Sequence, residues 1–125
     1  MITEDYVSFE TAKLLKEKGF DEICSTAYET ITNAHEIEQC SFSNWGKLNQ
    51  VKRPTIQMAM KWLRKVHDIQ IEITIVGKPW ENPTEWSYGF RCQNKEFIDS
   101  QNADYYNSWE EAAEVAIKYC LENLI

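Results

Sequence analysis

Within residues 54–76 the hydrophobic pattern changes its period, and that change limits what the chain can fold into. Ile56, Ala59, Met60, Leu63, Val66 and His67 recur at helical spacing and share one face, which Met58 and Trp62 widen on one flank. Gln57, Lys61, Arg64 and Lys65 occupy the opposite arc. Thr55 suits the N-cap, where its hydroxyl can accept from an orphan backbone N–H, and Pro54 disfavours helix in the residue before it. Asp68 ends this pattern. From Ile69 the period is 2, with Ile69, Ile71, Ile73 and Ile75 on one side and Gln70, Glu72, Thr74 and Val76 on the other. A β-branched row backed mostly by polar residues predicts a half-buried strand in an antiparallel sheet. The isoleucines need a cover, which apolar helix faces can supply.

The rest of the chain offers such faces. Ser8 can cap a helix ending near Lys18, with Phe9, Ala12 and Leu15 on its apolar side. Gly19 then suits the left-handed C′ position and Phe20 the packing position after it. Ser108 and Glu111 have the spacing of a capping box, and the stripe of Trp109, Ala112, Ala113, Ala116, Cys120 and Leu124 continues a closing helix. Trp86, Tyr88, Phe90 and Cys92 alternate with Ser87, Gly89, Arg91 and Gln93, which predicts a second strong strand, paired with the first as a long-looped hairpin. Residues 23–31 have strand-like content but weak alternation. Residues 32–52 fit no single period and hold either a strand around Glu38–Phe42 or a functional loop. A further short strand is expected around Glu96–Ile98.

The predicted order is α-β-α-β-β-α. It describes a two-layer α+β domain, a small antiparallel sheet with about three helices packed on one face. At 125 residues the chain fits one domain spanning 1–125, with no internal repeat or low-complexity segment. Hydrophobic content of 43% and aromatic content of 13% place it among globular folds and exclude disorder.

Three parts of the sequence resemble one family. They are Val7 to Asp21, the run Arg53-Pro-Thr with Lys61-Trp-Leu-Arg-Lys-Val-His-Asp-Ile69, and Ser108 to Ile117. Together they look like small uncharacterised proteins encoded by phages and prophages of gut bacteria. The resemblance implies an accessory gene of a mobile element. It implies no activity and no site residues.

Net charge is −7, unevenly spread. Lys52, Arg53, Lys61, Arg64 and Lys65 put +5 into an acid-free window and leave −12 on the remainder. This strip is a candidate anion or nucleic-acid contact, since cations release counterions from phosphate. It is equally the ordinary wet face of an amphipathic helix, and a sequence pI near 4.8 disfavours nucleic acid as a partner. Trp45, Trp80, Tyr105 and Tyr106 fall in predicted loops, where aromatics anchor binding surfaces or plug the open end of a small core.

No catalytic or metal motif is present. His35, His67 and the dispersed Cys24, Cys40, Cys92 and Cys120 lack metal-ligand spacing, and no local signature ties Cys24, Ser25 or Thr26 to a histidine. The four glycines form no phosphate loop. No cofactor is expected. The acidic start Met-Ile-Thr-Glu-Asp lacks a signal core, and no apolar run approaches the ~18 residues of a membrane span. The expectation is a cytoplasmic protein with reduced thiols and neither membrane nor metal as partner. By this reading it is a non-enzymatic protein-interaction module, binding a protein or a second copy of itself. The alternatives are an anion or nucleic-acid contact on the helix from Thr55 to His67, and a small-molecule (nucleotide) binding protein.

Overall fold

The computed structural model describes residues 2–40, 49–76, 85–92 and 105–125 and the backbone of 98–99. The chain divides into two compact units, Met1–Thr55 and Ile56–Ile125. It is α+β: the described residues form three α-helices and two three-stranded antiparallel sheets. The sequence predicts the class, the helices and the antiparallel pairing. The strands divide between two sheets instead of one, because the weakly patterned residues before Pro54 pair with one another.

In the first unit, helix α1 (Phe9–Glu17) starts where the Ser8 hydroxyl accepts from the Thr11 N–H at 3.3 Å. It ends in a Schellman motif: Phe20 N–H donates to Leu15 O at 2.9 Å and Gly19 N–H to Lys16 O at 3.1 Å. Gly19 has φ 92°, the left-handed conformation that glycine adopts without a Cβ penalty. Strand β1 (Thr26–Glu29) lies between β2 (Ile37–Gln39) and β3 (Gln50–Lys52). Tyr28 stands opposite Ile37 on one side and Val51 on the other. Only four residues of the 23–31 run pair, and Ile23 and Ile31 beyond them are exposed. Strand β2 falls at the start of the anticipated Glu38–Phe42 segment, whose residues beyond Cys40 lie outside the described residues. The Tyr28 hydroxyl donates to Val7 O at 2.6 Å, tying the N-terminal segment to the sheet.

The link from β1 to β2 is organised by one buried carboxylate. Glu29, 7% exposed, accepts from Ile31 N–H at 2.9 Å, Thr32 N–H at 3.0 Å, Glu36 N–H at 3.3 Å and the Thr32 hydroxyl. The bonds from Thr32, and then those from Glu36 and Ile31, pull its pKa from 4.5 down to about 2 against the opposing effect of burial. A carboxyl whose folded pKa is depressed adds stability that is complete above pH 4.5 and lost as pH falls through about 2. Glu29→Gln should therefore lower the melting temperature at pH 7. The gap from the wild type should close on titration from pH 4.5 to about 2. Melting curves at stepped pH check this, and a gap of constant size would deny the carboxylate its role.

In the second unit, α2 (Ile56–Val66) follows directly on Thr55 and buries Ile56, Ala59, Met60, Trp62 and Leu63. Val66, predicted on this face, is 58% exposed, because it occupies the last turn where the chain leaves the helix. His67 and Asp68 make the whole turn into β4 (Ile69–Val76), with Asp68 at φ 57°. Aspartate is among the non-glycine residues most often found there. Strand β4 pairs along its full length with β5 (Glu85–Cys92), and β5 pairs with β6 (Ile98–Asp99). The remainder of the 77–85 connection and of the 93–104 connection lies outside the described residues.

Register places Ile71 opposite Phe90, Ile73 opposite Tyr88 and Ile75 opposite Trp86. Helix α3 (Trp109–Tyr119) packs on β4, β5 and α2. Its Ser108 cap accepts from Glu111 N–H at 3.1 Å, while the Glu111 carboxylate accepts from Asn107 N–H at 3.3 Å, one residue before the position a capping box predicts. A π-helical turn, Cys120–Leu124, buries Cys120 and Leu121. No helix among the described residues is long and apolar enough to cross a membrane.

Candidate functional site

The isoleucine row of β4 is covered over only part of its length. Ile69 and Ile71 are buried, Ile73 is half-buried and Ile75 is 46% exposed. The neighbouring strand shows the same gradient, from Phe90 and Tyr88, both buried, to half-buried Trp86. A third segment extends the row. Trp86 and Tyr106 exchange backbone hydrogen bonds, each N–H donating to the other's carbonyl at 2.8 Å. Directly opposed residues on neighbouring strands project to the same face. Ile75, Trp86 and Tyr106 therefore form one line across it.

Ring contacts join this line to the core. Tyr106 stacks on Tyr88 at 5.9 Å, Tyr88 tilts against Phe90 at 5.3 Å, and Phe90 stacks on Tyr119 of α3 at 5.5 Å. Tyr105, beside Tyr106, is 52% exposed. The result is an apolar, aromatic surface that continues the core face past the buried part of the row. It presents apolar area and ring edges at half-buried and exposed positions. Tyr105 and Tyr106 could be found from their loop position. Ile75 and Trp86 could not, since their exposure depends on where the covering helices stop. Trp45 and Trp80 lie outside the described residues.

The five cations of the basic strip occupy different settings. Lys61, Arg64 and Lys65 are exposed on the outer arc of α2. Lys52 and Arg53 belong to the first unit. Lys52 pairs with Asp21 at 3.2 Å. The Arg53 guanidinium lies 3.8 Å from the centre of the Tyr6 ring and donates to the Thr26 hydroxyl at 3.3 Å, a cation–π seat that holds the side chain against its own unit.

Cys24 and the two histidines each contact a neighbour in their own unit. Cys24 is buried, its thiol near Glu22 O at 3.7 Å, and burial pushes its pKa up to about 11 against the opposing pull of Lys52. It stays protonated at neutral pH, whereas the thiolate is the nucleophile. Burial likewise raises the Cys40 and Cys120 thiols, and no disulfide joins Cys24, Cys40, Cys92 or Cys120. His67 meets Trp62 edge-on at 4.8 Å. His35 stacks on Phe9. Among the described residues no three His, Cys, Asp or Glu side chains group as metal ligands.

Fold and surface together define an α+β protein with a partly uncovered aromatic sheet face. Comparisons of the chain with protein-family models, with curated proteins and with solved structures find no match.

Proposed function

We propose that this chain is a small non-enzymatic protein-interaction module, and that its partner, another protein or a second copy of the chain, covers the Ile75–Trp86–Tyr106 line. The observation behind this reading is the aromatic row that runs on from the core past Ile73 toward solvent. Covering such a row recovers roughly 25 cal/mol per Å² of apolar area. Tryptophan and tyrosine anchor interfaces more than other residues do, because they bury large rigid rings at small entropic cost and keep a polar edge for bonding.

The test is Ile75→Lys, which places a charge in the line at a position already half open to water. Light scattering reports self-association, and quantitative pull-down reports a second protein. The variant should keep the wild-type melting temperature and lose association by at least about tenfold, the cost of disrupting an interface anchor. Undiminished association in the folded variant, or a wild-type chain that is monomeric and enriches nothing, counts against the reading.

A further inference from the structure

The first unit contains a separate concavity. Phe9, Lys13, Lys16 and Glu17 of α1 fall at i, i+4, i+7 and i+8, on a different side from buried Thr11, Ala12 and Leu15. Across from them stand Thr30 and His35 of the β1–β2 connection and Val51 of β3. These residues line an open groove of about 610 Å³, within the range of roughly 300–1,000 Å³ usual for small-molecule sites. Val51 is buried and gives an apolar floor. Phe9 and His35 form one flat element, their rings 3.5 Å apart between centroids and 8° from parallel.

His35 is fixed in place. Its φ is 48°, in the left-handed region, which histidine, like aspartate, adopts more often than most non-glycine residues. The ring is held by Nδ1–H donating to Glu29 O at 3.2 Å and by the stack on Phe9, and the Glu29 carboxylate fastens the same turn. A carbonyl oxygen only accepts, so the neutral ring carries its proton on Nδ1 and keeps Nε2 as an acceptor. At the rim, Lys16 Nζ donates to Gln50 O at 3.2 Å and is thereby stationed over β3. Lys13 has no ion-pair partner among the described residues. Two ammonium groups and the carboxylate of Glu17 line the groove itself.

We infer that this groove is a binding site for a small organic anion with a flat apolar body, the anionic group held by Lys13 and Lys16 and the body resting on Val51 and the Phe9–His35 ring pair. Carboxylate and phosphate share the required chemistry. A cation pair beside an aromatic wall recognises either one, with the apolar floor adding area that a bare ion cannot use.

The experiment is an amide NMR titration of the full chain with benzoate, phenyl phosphate, inorganic phosphate and benzyl alcohol. Benzoate or phenyl phosphate should shift the Thr30, His35 and Val51 amides saturably, at least about tenfold more tightly than inorganic phosphate or benzyl alcohol. The tighter of the two names the anionic group. Lys13→Glu with Lys16→Glu, both at exposed positions, should abolish the shifts in a chain whose circular dichroism is unchanged, and the corresponding double arginine variant should retain them. Absence of saturable shifts with both aromatic anions overturns the inference. So does equal affinity in the folded double glutamate variant. Inorganic phosphate binding as tightly as phenyl phosphate removes the apolar half of the site, and benzyl alcohol binding as tightly as benzoate removes the anionic half. Either result also overturns it. Ile75→Lys in the second unit should leave the titration unchanged, so this site and the proposed partner surface stand or fall separately.

Discussion

Replacing Phe90 with alanine is expected to lower the unfolding free energy by about 3–5 kcal/mol. Phe90 is fully buried on β5, the central strand of its sheet, opposite Ile71 on one side and Ile98 on the other. Its ring stacks on Tyr119 at 5.5 Å and 15°, and meets Tyr88 at 5.3 Å. Truncation removes the transfer free energy of a whole ring and leaves a cavity between a hydrogen-bonded strand and a helix. Neither element can shift far without breaking ladder bonds, so the space does not collapse. Lost aromatic contacts add roughly 0.5–1.5 kcal/mol. Urea denaturation measures the effect as a lower midpoint with an unchanged slope. A loss under about 1 kcal/mol, the size of an average point substitution, would place Phe90 outside the core.

Leu63→Ala is the second large effect, about 2–5 kcal/mol. Leu63 is fully buried, on the α2 face that carries Ile56 and Ala59. Alanine keeps the helix propensity, so the loss measures packing and not the helix itself. Val66, one turn further on, supplies the comparison. It shares the apolar pattern but is mostly exposed, and Val66→Ala should stay within about 0.5 kcal/mol. An unchanged urea midpoint for Leu63→Ala would take that side chain out of the core.

That pair shows what hydrophobic spacing conveys. Periodicity identifies a face, and α2, β4, β5 and α3 were legible because their faces are long and regular. It does not say how far along an element the cover extends. Val66 and Ile75 have the right spacing and lie at ends where the cover stops. Local capping chemistry was legible at Ser8, Gly19 and Ser108, since each device is complete within a few residues. Strand β3 was not. Its three residues carry no pattern, and their partners in β1 stand more than twenty positions earlier.

The candidate sites divide in the same way. Tyr105 and Tyr106 could be picked out as aromatics before a helix. The line they join depends on the β4–β5 register and on the Trp86–Tyr106 bridge. Phe9 fits the core stripe of its helix, yet it stands half-buried against His35, because the β1–β2 turn brings that ring across to it. Arg53 counts as a free cation in the sequence. Its seat on Tyr6 comes from the bridge between Tyr6 and Thr55, a contact between residues far apart in the chain.

The junction at His67 and Asp68 bears on how the second unit assembles. With two residues between helix and strand, laying α2 on β4 closes almost no loop and costs little chain entropy. Pairing β4 with β5 closes a longer connection, and recruiting α3 closes a longer one still. Among the described elements of the unit, the helix–strand corner is thus the contact with the shortest connection to close.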